Sequence, residues 1–518
     1  MNKKKYLLAL MTIVLSSCNG STISSNSFQT SNDTITSSVV NEIKLDDVNR
    51  NSPEEYLDEH EYHQPEFKDF PTYDEDDWNT SLKFTLSADE TYYQVSDNLA
   101  GDRLLNTSTL IIPAYYKGLP VEEIVQAREG VGAFSELTWL KTVYLPHTIK
   151  RIEYGTFSLS AIDKLYFDCE NLEDFDGRNW VFYPPLAESY KGMDVYFGPN
   201  VKRIPQRLFY PNVTEPKYTP RINNVYFDND CKVESIGSHA FHSVSNYTKL
   251  YLPDSIEIIE EYAFYGASFK ELVLPKNLER IDNDAFSFTK LENIKVNNKL
   301  NYIGERAFAY SSLKCIDLSM TTLEVIEDEC FAYTNLVGIK FNNLIKEIRE
   351  RAFIDTLFKD LIIPDSVTLI AGEAFSNLSN LKRLYLGQNL KTLGRKAFYN
   401  ASKLTSLEIA SASLNDLKTG NDVFTNAGKE EGMLVYFLDG VTKIPSYLFF
   451  STANVEELCN IKTLSLSNSI TSIGKGAFYE LDIERVNYRG SKEQYSQINI
   501  SEDNYSNDNL DYGGYKYA

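Results

Sequence analysis

One feature constrains the fold of this chain more than any other, namely an Ala-Phe pair that returns at a near-constant spacing. Nine Ala-Phe dipeptides occur in the 518 residues. From Phe241 to Phe398, with Cys330-Phe331 as one variant pair, successive phenylalanines are 23, 22, 22, 23, 22, 22 and 23 residues apart. A fixed period of about 20 to 50 residues is the mark of a repeat architecture. The spacing therefore predicts one elongated solenoid rather than several compact globules.

Each repeat reads as three parts, which are clear in residues 269–290 and 291–312. An apolar run such as Leu291, Ile294 and Val296 alternates with polar residues near its end, as a short strand with one buried face requires. A second apolar pair follows, such as Leu278 and Ile281, and then the Ala-Phe on a short helical turn. Because one such unit is too small to close its own core, neighbouring units must share one.

The recurring phenylalanine is predicted to form a continuous interior spine. Between Phe157 and Phe209 the step grows to 52 residues, so one repeat there is degenerate. The irregular stretches within residues 176–223 are predicted to lie on one face as further contact surface, where insertions in solenoids occur. The predicted spine residues are Phe134, Phe157, Phe241, Phe264, Phe286, Phe308, Phe331, Phe353, Phe375, Phe398 and Phe478.

The repeats resemble the BspA-like leucine-rich repeats of bacterial surface proteins. LIIPDSVTLIAGEAF at 361–375 matches that pattern closely, and residues 81–124 and 486–500 resemble the family's opening and closing segments. The resemblance implies a right-handed, curved leucine-rich-repeat solenoid, mainly β with short helical turns, over residues 82–500. Its N-terminal cap would span 82–130 and its C-terminal cap 483–500. The resemblance also implies attachment to proteins of a host or of neighbouring cells.

The N-terminus is typical of an exported protein. Residues 1–17 combine three lysines with a short apolar stretch of about ten residues, whereas a stable membrane span needs about 20. Leu15-Ser16-Ser17-Cys18 resembles the lipobox of bacterial lipoproteins, which implies cleavage before Cys18 and a diacylglycerol on its sulfur. An ordinary signal peptide with a chance cysteine is the alternative. Two acyl chains would form a stable membrane anchor.

The flanking segments are polar or acidic. Residues 18–51 are rich in Ser, Thr and Asn and are predicted to form a flexible tether, because they bury too little apolar area to offset their ordering entropy. Residues 52–81 form an acidic, aromatic, partly ordered lead-in, and 501–518 a polar tail. Cleavage after residue 17 leaves 48 basic and 73 acidic residues, a net charge of −25. Such a surface disfavours nucleic acid and anionic headgroups, so membrane contact is expected through the lipid only.

The sequence shows no catalytic or metal-binding constellation. The five histidines offer few bases, and His60-Glu61-Tyr62-His63 is one residue short of the zinc motif HExxH. The run Asp74-Glu75-Asp76-Asp77 reads as a solvated charge cluster. No cofactor, metal or enzymatic activity is expected. The remaining cysteines are interpreted as core thiols, with a disulfide possible but not indicated: Cys169, Cys231, Cys315, Cys330 and Cys459.

One set of side chains favours binding. In each strand the residue between the last two inward apolar side chains should point out of the sheet, and in the N-terminal half this residue is repeatedly tyrosine. Tyrosine gives a large contact area and a hydroxyl, which suits a protein or glycan partner, although stacked rings also stabilise a sheet. The candidate binding surface comprises Tyr144, Tyr166, Tyr196, Tyr226, Tyr251 and Tyr385.

Three hypotheses follow for the function. The first is a lipid-anchored, adhesin-like surface protein that binds a protein or glycan on host or neighbouring cells. The second is a structural envelope lipoprotein that spaces or scaffolds other proteins without a host ligand. The third, an envelope hydrolase, requires a cluster of acid, base or nucleophile that the sequence does not contain.

Overall fold

The computed structural model describes residues 82–97, 108–177, 179–210, 219–245, 249–453 and 457–504. The predicted signal peptide, Cys18, the tether, the acidic lead-in and the tail from residue 505 onward lie outside these ranges. Residues 211–218, in the second irregular stretch, also lie outside them. Within the described residues, no helix has the length and apolar character of a membrane span.

A column of parallel strands, one from each repeat, forms one face of the solenoid. Residues of successive strands pair at equivalent positions, as where Leu272 lies opposite Leu250 and Ile294. The column consists of Thr109–Ile111, Thr142–Leu145, Lys164–Phe167, Met193–Phe197, Ile222–Phe227, Lys249–Tyr251, Glu271–Val273, Asn293–Lys295, Cys315–Asp317, Gly338–Lys340, Asp360–Ile362, Arg383–Leu386, Ser406–Ile409, Met433–Phe437, Ile461–Leu466 and Arg485–Tyr488.

A second column contains strands of only two residues. Each except the last supplies one buried aliphatic side chain, such as Ile281 or Ile303, to the core, and in the last strand Ile500 is half-buried. These strands also pair in parallel from repeat to repeat. They are Arg151–Ile152, Arg203–Ile204, Ser235–Ile236, Ile258–Ile259, Arg280–Ile281, Tyr302–Ile303, Val325–Ile326, Glu347–Ile348, Leu369–Ile370, Thr392–Leu393, Lys443–Ile444, Ser472–Ile473 and Asn499–Ile500.

The two ends of the stack differ from its repeats. At the N-terminal end, strand Leu82–Leu86 pairs antiparallel with Tyr93–Asp97, which pairs with Leu119–Ile124. Strand Tyr115–Tyr116 turns back onto Leu119–Ile124 through Lys117 and Gly118, whose φ of 47° and 80° suit a tight hairpin turn. At the C-terminal end lie helix Lys492–Tyr495, capped by Ser491 and Gln494, and the 3₁₀ turn Glu502–Asn504.

The Ala-Phe segments are consecutive turns, and the short helical turn predicted for them does not form an α-helix. In one repeat the N–H groups of Asp284, Phe286 and Phe288 donate to carbonyls of the next repeat at 2.8–3.0 Å. The N–H groups between them, such as that of Ala285, donate three residues back along the chain. Asp284 and Phe288 are left-handed, with φ of 54° and 59°. This alternation satisfies the turn backbone and binds each repeat to its neighbour.

The spine phenylalanines form an unbroken stack inside the solenoid. Fifteen rings follow one another with centroid separations of 5.1–5.7 Å, from Phe134 to Phe478. The degenerate repeat contributes Phe182, which lies 5.6 Å from Phe157 and 5.4 Å from Phe209. Because Phe182 does not follow Phe157 at the regular spacing of 22 or 23 residues, the repeat period did not reveal it in the sequence. The long step therefore holds two repeats of unequal length, each with its own core ring.

Ion pairs at the repeat spacing join neighbouring units on the surface. Lys314 pairs with Glu292 at 2.6 Å and Lys346 with Glu324 at 2.8 Å, in each case 22 residues apart. Because these side chains are largely exposed, each pair is expected to contribute no more than about 1 kcal/mol to stability.

The substitution Phe286→Ala should lower the free energy of unfolding by about 3 to 5 kcal/mol, because it opens a ring-sized void between rings that cannot collapse. Chemical denaturation of the purified protein measures the loss. Phe288→Ala is the matched control. It removes the same atoms from a residue two positions farther along the chain, whose ring is 48% exposed, so the loss of stability should be much smaller. Equal losses from both substitutions would contradict a ring stack as the core.

Candidate binding surface

Four tyrosines lie one above another on the outer face of the long-strand column. The parallel register places Tyr166 opposite both Tyr144 and Tyr196, and Tyr196 opposite Tyr226. Their ring centroids are 4.3, 4.6 and 4.7 Å apart, and the ring planes differ by 8° to 20°. We call these four residues the sheet-face column. Each inner ring is covered on both faces, and Tyr196 is only 8% exposed, so a partner would meet mainly the ring edges and hydroxyl groups of Tyr144, Tyr166 and Tyr226.

The other two predicted tyrosines do not extend this stack in the same way. Tyr251 lies on the next strand, and the residue opposite it on the following strand is Val273. Tyr385 is separated from the column by several strands and lies between Ile362 and Glu408. Its ring is only 6% exposed and its hydroxyl lies 3.4 Å from a carboxylate oxygen of Asp365. Tyr385 therefore offers little contact area of its own.

Burial affects the ionisation of these tyrosines. Desolvation, together with neighbouring Tyr144 and Tyr196, raises the pKa of Tyr166 to about 12. Burial and the Asp365 carboxylate raise the pKa of Tyr385 as well. The hydroxyls of Tyr166 and Tyr385 thus stay protonated at physiological pH, and each can both donate and accept a hydrogen bond.

The geometry of the sheet-face column accounts for a stabilising role without any ligand. Cross-strand aromatic pairs contribute about 0.2 to 1 kcal/mol each, and the three stacked pairs satisfy the distances that such a contribution requires. Stacking and binding are compatible, since a stacked column is a rigid surface. Binding by these residues remains a prediction.

A second column of aromatic rings, which the sequence analysis missed, runs along the Ala-Phe turns. Tyr310 stacks on Phe288 and on Tyr333 with centroid separations of 4.6 Å, and these rings are 48% (Phe288), 44% (Tyr310) and 39% (Tyr333) exposed. Tyr265 continues the series at 5.2 Å from Phe288. We call the whole series the turn ribbon, which comprises Tyr210, His242, Tyr265, Phe288, Tyr310 and Tyr333.

The ribbon stays continuous because the large and the small residue that follow the spine phenylalanine change order between repeats. Tyr265 directly follows spine residue Phe264 and precedes Gly266, whereas in the next repeat the small Ser287 comes first and the ring of Phe288 second. The 22-residue period applied to positions beside the spine would have revealed this signal.

Three of the ribbon aromatics, Phe288, Tyr310 and Tyr333, occupy a backbone conformation that bulky residues disfavour. Tyr310 and Tyr333 each have a φ of 58°, a left-handed value that costs about 1 kcal/mol or more for most side chains. Later repeats fill the same position with Asn377 and Asn400, which tolerate this conformation and bond to each other at 3.2 Å. Ring stacking offsets part of the cost in the aromatic repeats.

His239 lies beside His242 at the N-terminal part of the turn ribbon. Their rings stack at 5.5 Å, and each Nδ1 lies within 3 Å of a serine hydroxyl, that of Ser238 (2.7 Å) or Ser243 (2.9 Å). Burial lowers the pKa of both to about 4, helped by the charge of Arg207 for His239 and by His239 for His242. Both imidazoles are therefore neutral at pH 7.

The described part of the chain offers little for catalysis or metal binding. It contains no group of three or more His, Cys, Asp or Glu side chains arranged to hold a metal ion. No disulfide joins the five cysteines of these ranges, four of which are buried, while Cys315 is half-buried. Burial raises the pKa of Cys231 to about 11 and that of Cys459 to about 12, so neither thiol forms a reactive thiolate at neutral pH.

A family model described as the BspA type leucine-rich repeat region, in six copies, matches residues 130–211, 217–325, 316–431, 346–461 and 419–507. These matches span more than half of the chain. The chain belongs to the BspA-type leucine-rich-repeat family. The matched ranges include the strands that hold Tyr144, Tyr166, Tyr196 and Tyr226, so both aromatic columns of this BspA-type chain are built from its repeats.

Individual proteins match this chain at low identity or over a small part of its length. A leucine-rich repeat protein from Bacteroides ovatus is 19% identical, covers 82% of this chain and 97% of its own, and has a TM-score of 0.44. The pneumococcal vaccine antigen PcpA is 19% identical, covers 69% and 92%, and has a TM-score of 0.39. The thyrotropin receptor of Sus scrofa is 33% identical over 141 residues, 23% of this chain. The chain spans only 18% of that receptor's length.

The histidine pair should make stability depend on pH between about 6.5 and 4. Because both pKa values are lowered on folding, the unfolded state binds protons first, so the free energy of unfolding falls as pH falls through this window. Chemical denaturation at pH 7.0 and 5.0 measures the difference. The variant His239→Tyr/His242→Tyr, which copies Tyr262 and Tyr265 of the next repeat, should lose less stability over this interval. An equal loss in both proteins would show that the pair does not titrate as described.

Proposed function

We propose that this BspA-type chain is a lipid-anchored cell-surface protein that binds a protein or glycan partner on host or neighbouring cells. The sheet-face column is the observation that carries the proposal. Four tyrosines, with neighbouring ring centroids at most 4.7 Å apart, form a rigid series of ring edges and hydroxyls on one face of a long solenoid.

Rigidity is what makes this column suitable for binding. A partner that docks on stacked rings immobilises few additional side-chain rotamers, so less of the interaction energy is lost to ordering. Tyrosine also combines apolar area with a hydrogen-bonding group and is enriched among residues that dominate interface affinity. The described parts of the irregular region 176–223 adjoin the same strands and would extend the contact surface.

The lipid anchor is proposed from the resemblance of residues 15–18 to a lipobox. With a net charge of −25 after cleavage, the protein surface would be repelled by anionic headgroups, so attachment would depend on the acyl chains at Cys18. The Ser-, Thr- and Asn-rich segment 18–51 would then hold the solenoid away from the membrane.

We also propose that the protein has no catalytic activity and needs no cofactor. The described residues contain buried, poorly ionised thiols at Cys231 and Cys459, half-buried neutral histidines and no metal-ligand cluster. His239 and His242 each lie within 3 Å of a serine hydroxyl, but among the described residues no carboxylate is hydrogen-bonded to either imidazole to orient it as a base.

A triple variant with alanine at Tyr166, Tyr196 and Tyr226 should reduce attachment of cells that display the full chain to host extracellular material by at least about tenfold, since several central contact residues are lost together. Adhesion counts against immobilised matrix or a cell layer give the measurement. The matched control has alanine at Phe288, Tyr310 and Tyr333, which removes three rings from the turn ribbon instead. Thermal unfolding of both variants shows whether each retains its fold.

Loss of attachment in the control variant alone would assign the binding face to the turn ribbon instead of the sheet-face column. Unchanged attachment in both folded variants would overturn the proposal and favour a scaffolding role in the envelope. Loss in the sheet-face variant alone supports the proposal.

The anchor has its own test. Cys18→Ser should shift the protein from the membrane fraction to the culture medium or the soluble fraction, because the sulfur that accepts the diacylglycerol is gone. Cell fractionation with immunoblotting measures the distribution, and Cys315→Ser serves as a control of the same chemistry within the repeats. Retention of the Cys18 variant in the membrane fraction would contradict lipid anchoring at this residue.

A further inference from the structure

A carboxylate lies between two tyrosines in the C-terminal half of the same sheet face. The parallel register places Glu408 directly opposite Tyr385 on one side and Tyr436 on the other. Adjacent strands are about 4.8 Å apart, so the two rings flank the carboxylate at one strand spacing each. Tyr385 is buried and held near Asp365, whereas Tyr436 and Glu408 are half-buried.

Glu408 has no cationic partner among the described residues. The nearest strand neighbour with a positive charge, Arg383, is engaged on the side away from Glu408, where its Nε donates to the buried carboxylate of Asp360. Burial accordingly raises the pKa of Glu408, with only a smaller opposing effect of Arg383. Other carboxylates of this face are paired, as Asp317 is with Lys340 at 3.3 Å.

We propose that Glu408, Tyr385 and Tyr436 form a seat for one cationic side chain, a lysine or arginine, of a protein partner. This inference rests on the proposed function, because the seat lies on the face to which binding is assigned. The carboxylate supplies the counter-charge and the half-buried ring of Tyr436 supplies a cation–π contact within about 6 Å. The buried ring of Tyr385 bounds the seat on its other side.

The negative charge of Glu408 and of the whole protein favours a cationic side chain in the seat. The chain has a net charge of −22, and many of its exposed basic side chains are already paired between repeats, as Lys314 and Lys346 are. An anionic or purely apolar ligand would leave Glu408 desolvated and unpaired, which is costly. A cation relieves that cost and is attracted by the field of the whole protein.

The test uses purified full-length Cys18→Ser protein and a lysine hexapeptide as the probe, with isothermal titration calorimetry at low ionic strength. Glu408→Gln should weaken binding by about tenfold, as expected for the loss of a charged contact. Asp317→Asn is the matched control, since it removes the same charge from the same face away from the seat, and it should change the affinity less than about twofold. Glu408→Gln removes a poorly solvated charge, so it should fold with an unchanged or higher melting temperature.

The rings are tested separately. Tyr436→Leu should weaken binding of the hexapeptide by about threefold, whereas Tyr436→Phe should leave it nearly unchanged because the ring face is retained. Equal effects of Glu408→Gln and Asp317→Asn would show that the peptide responds to net charge alone and would overturn the seat. Absence of binding to the parent protein would overturn it as well.

This experiment is independent of cell attachment. If the hexapeptide binds as expected while the sheet-face triple variant still attaches cells, the seat stands and the proposed attachment through the tyrosine column fails. If the triple variant loses attachment and Glu408→Gln leaves hexapeptide binding unchanged, the proposed attachment through the tyrosine column stands and the seat fails.

Discussion

The structure depends on one interaction, the sharing of a core between repeats. A single repeat contributes one spine ring, a few aliphatic side chains and two short strands, and none of these is buried until the next repeat covers it. Phe286 illustrates this, since its ring lies between Phe264 and Phe308 at 5.3 Å on each side, while its N–H donates to the next repeat. Side-chain stacking and backbone hydrogen bonding therefore repeat with the same period.

The shared register also determines which residues align with one another on the surface. Because equivalent positions of neighbouring repeats are aligned, any residue type that recurs on an outer position becomes a column, whether of tyrosines on the sheet or of asparagines such as Asn377 and Asn400 on the turns. Alignment alone is thus weak evidence for binding. Features that the fold does not require are more informative, such as left-handed aromatics at Tyr310 and Tyr333 or the unpaired Glu408.

Local rules predicted some positions and missed others for identifiable reasons. The period was sufficient to predict the repeat fold, and the structure places the rings from Phe241 to Phe398 in the core. Phe182 was missed because an insertion moved it out of step. The Ala-Phe segments were expected to be helical, but the alternating inter-repeat hydrogen bonds impose left-handed residues that a helix excludes. Tyr385 was grouped with the other tyrosines, although its ring packs near Asp365.

The sequence by itself determined the family, the solenoid and the identity of the side chains that repeat, because these follow from spacing, which is a property of the chain. The repeat alignment in the sequence also predicted the order of the outer residues on the sheet, including Tyr166 beside Tyr196 and Glu408 between Tyr385 and Tyr436. Only the tertiary structure decided how these side chains meet, since ring contacts and burial depend on packing between residues 22 or more positions apart. The 4.6 Å stacking of Tyr166 on Tyr196, the turn ribbon and the burial of Tyr385 arise at that level. Burial and missing counter-charges, which set how these groups ionise, exist only once the repeats are stacked.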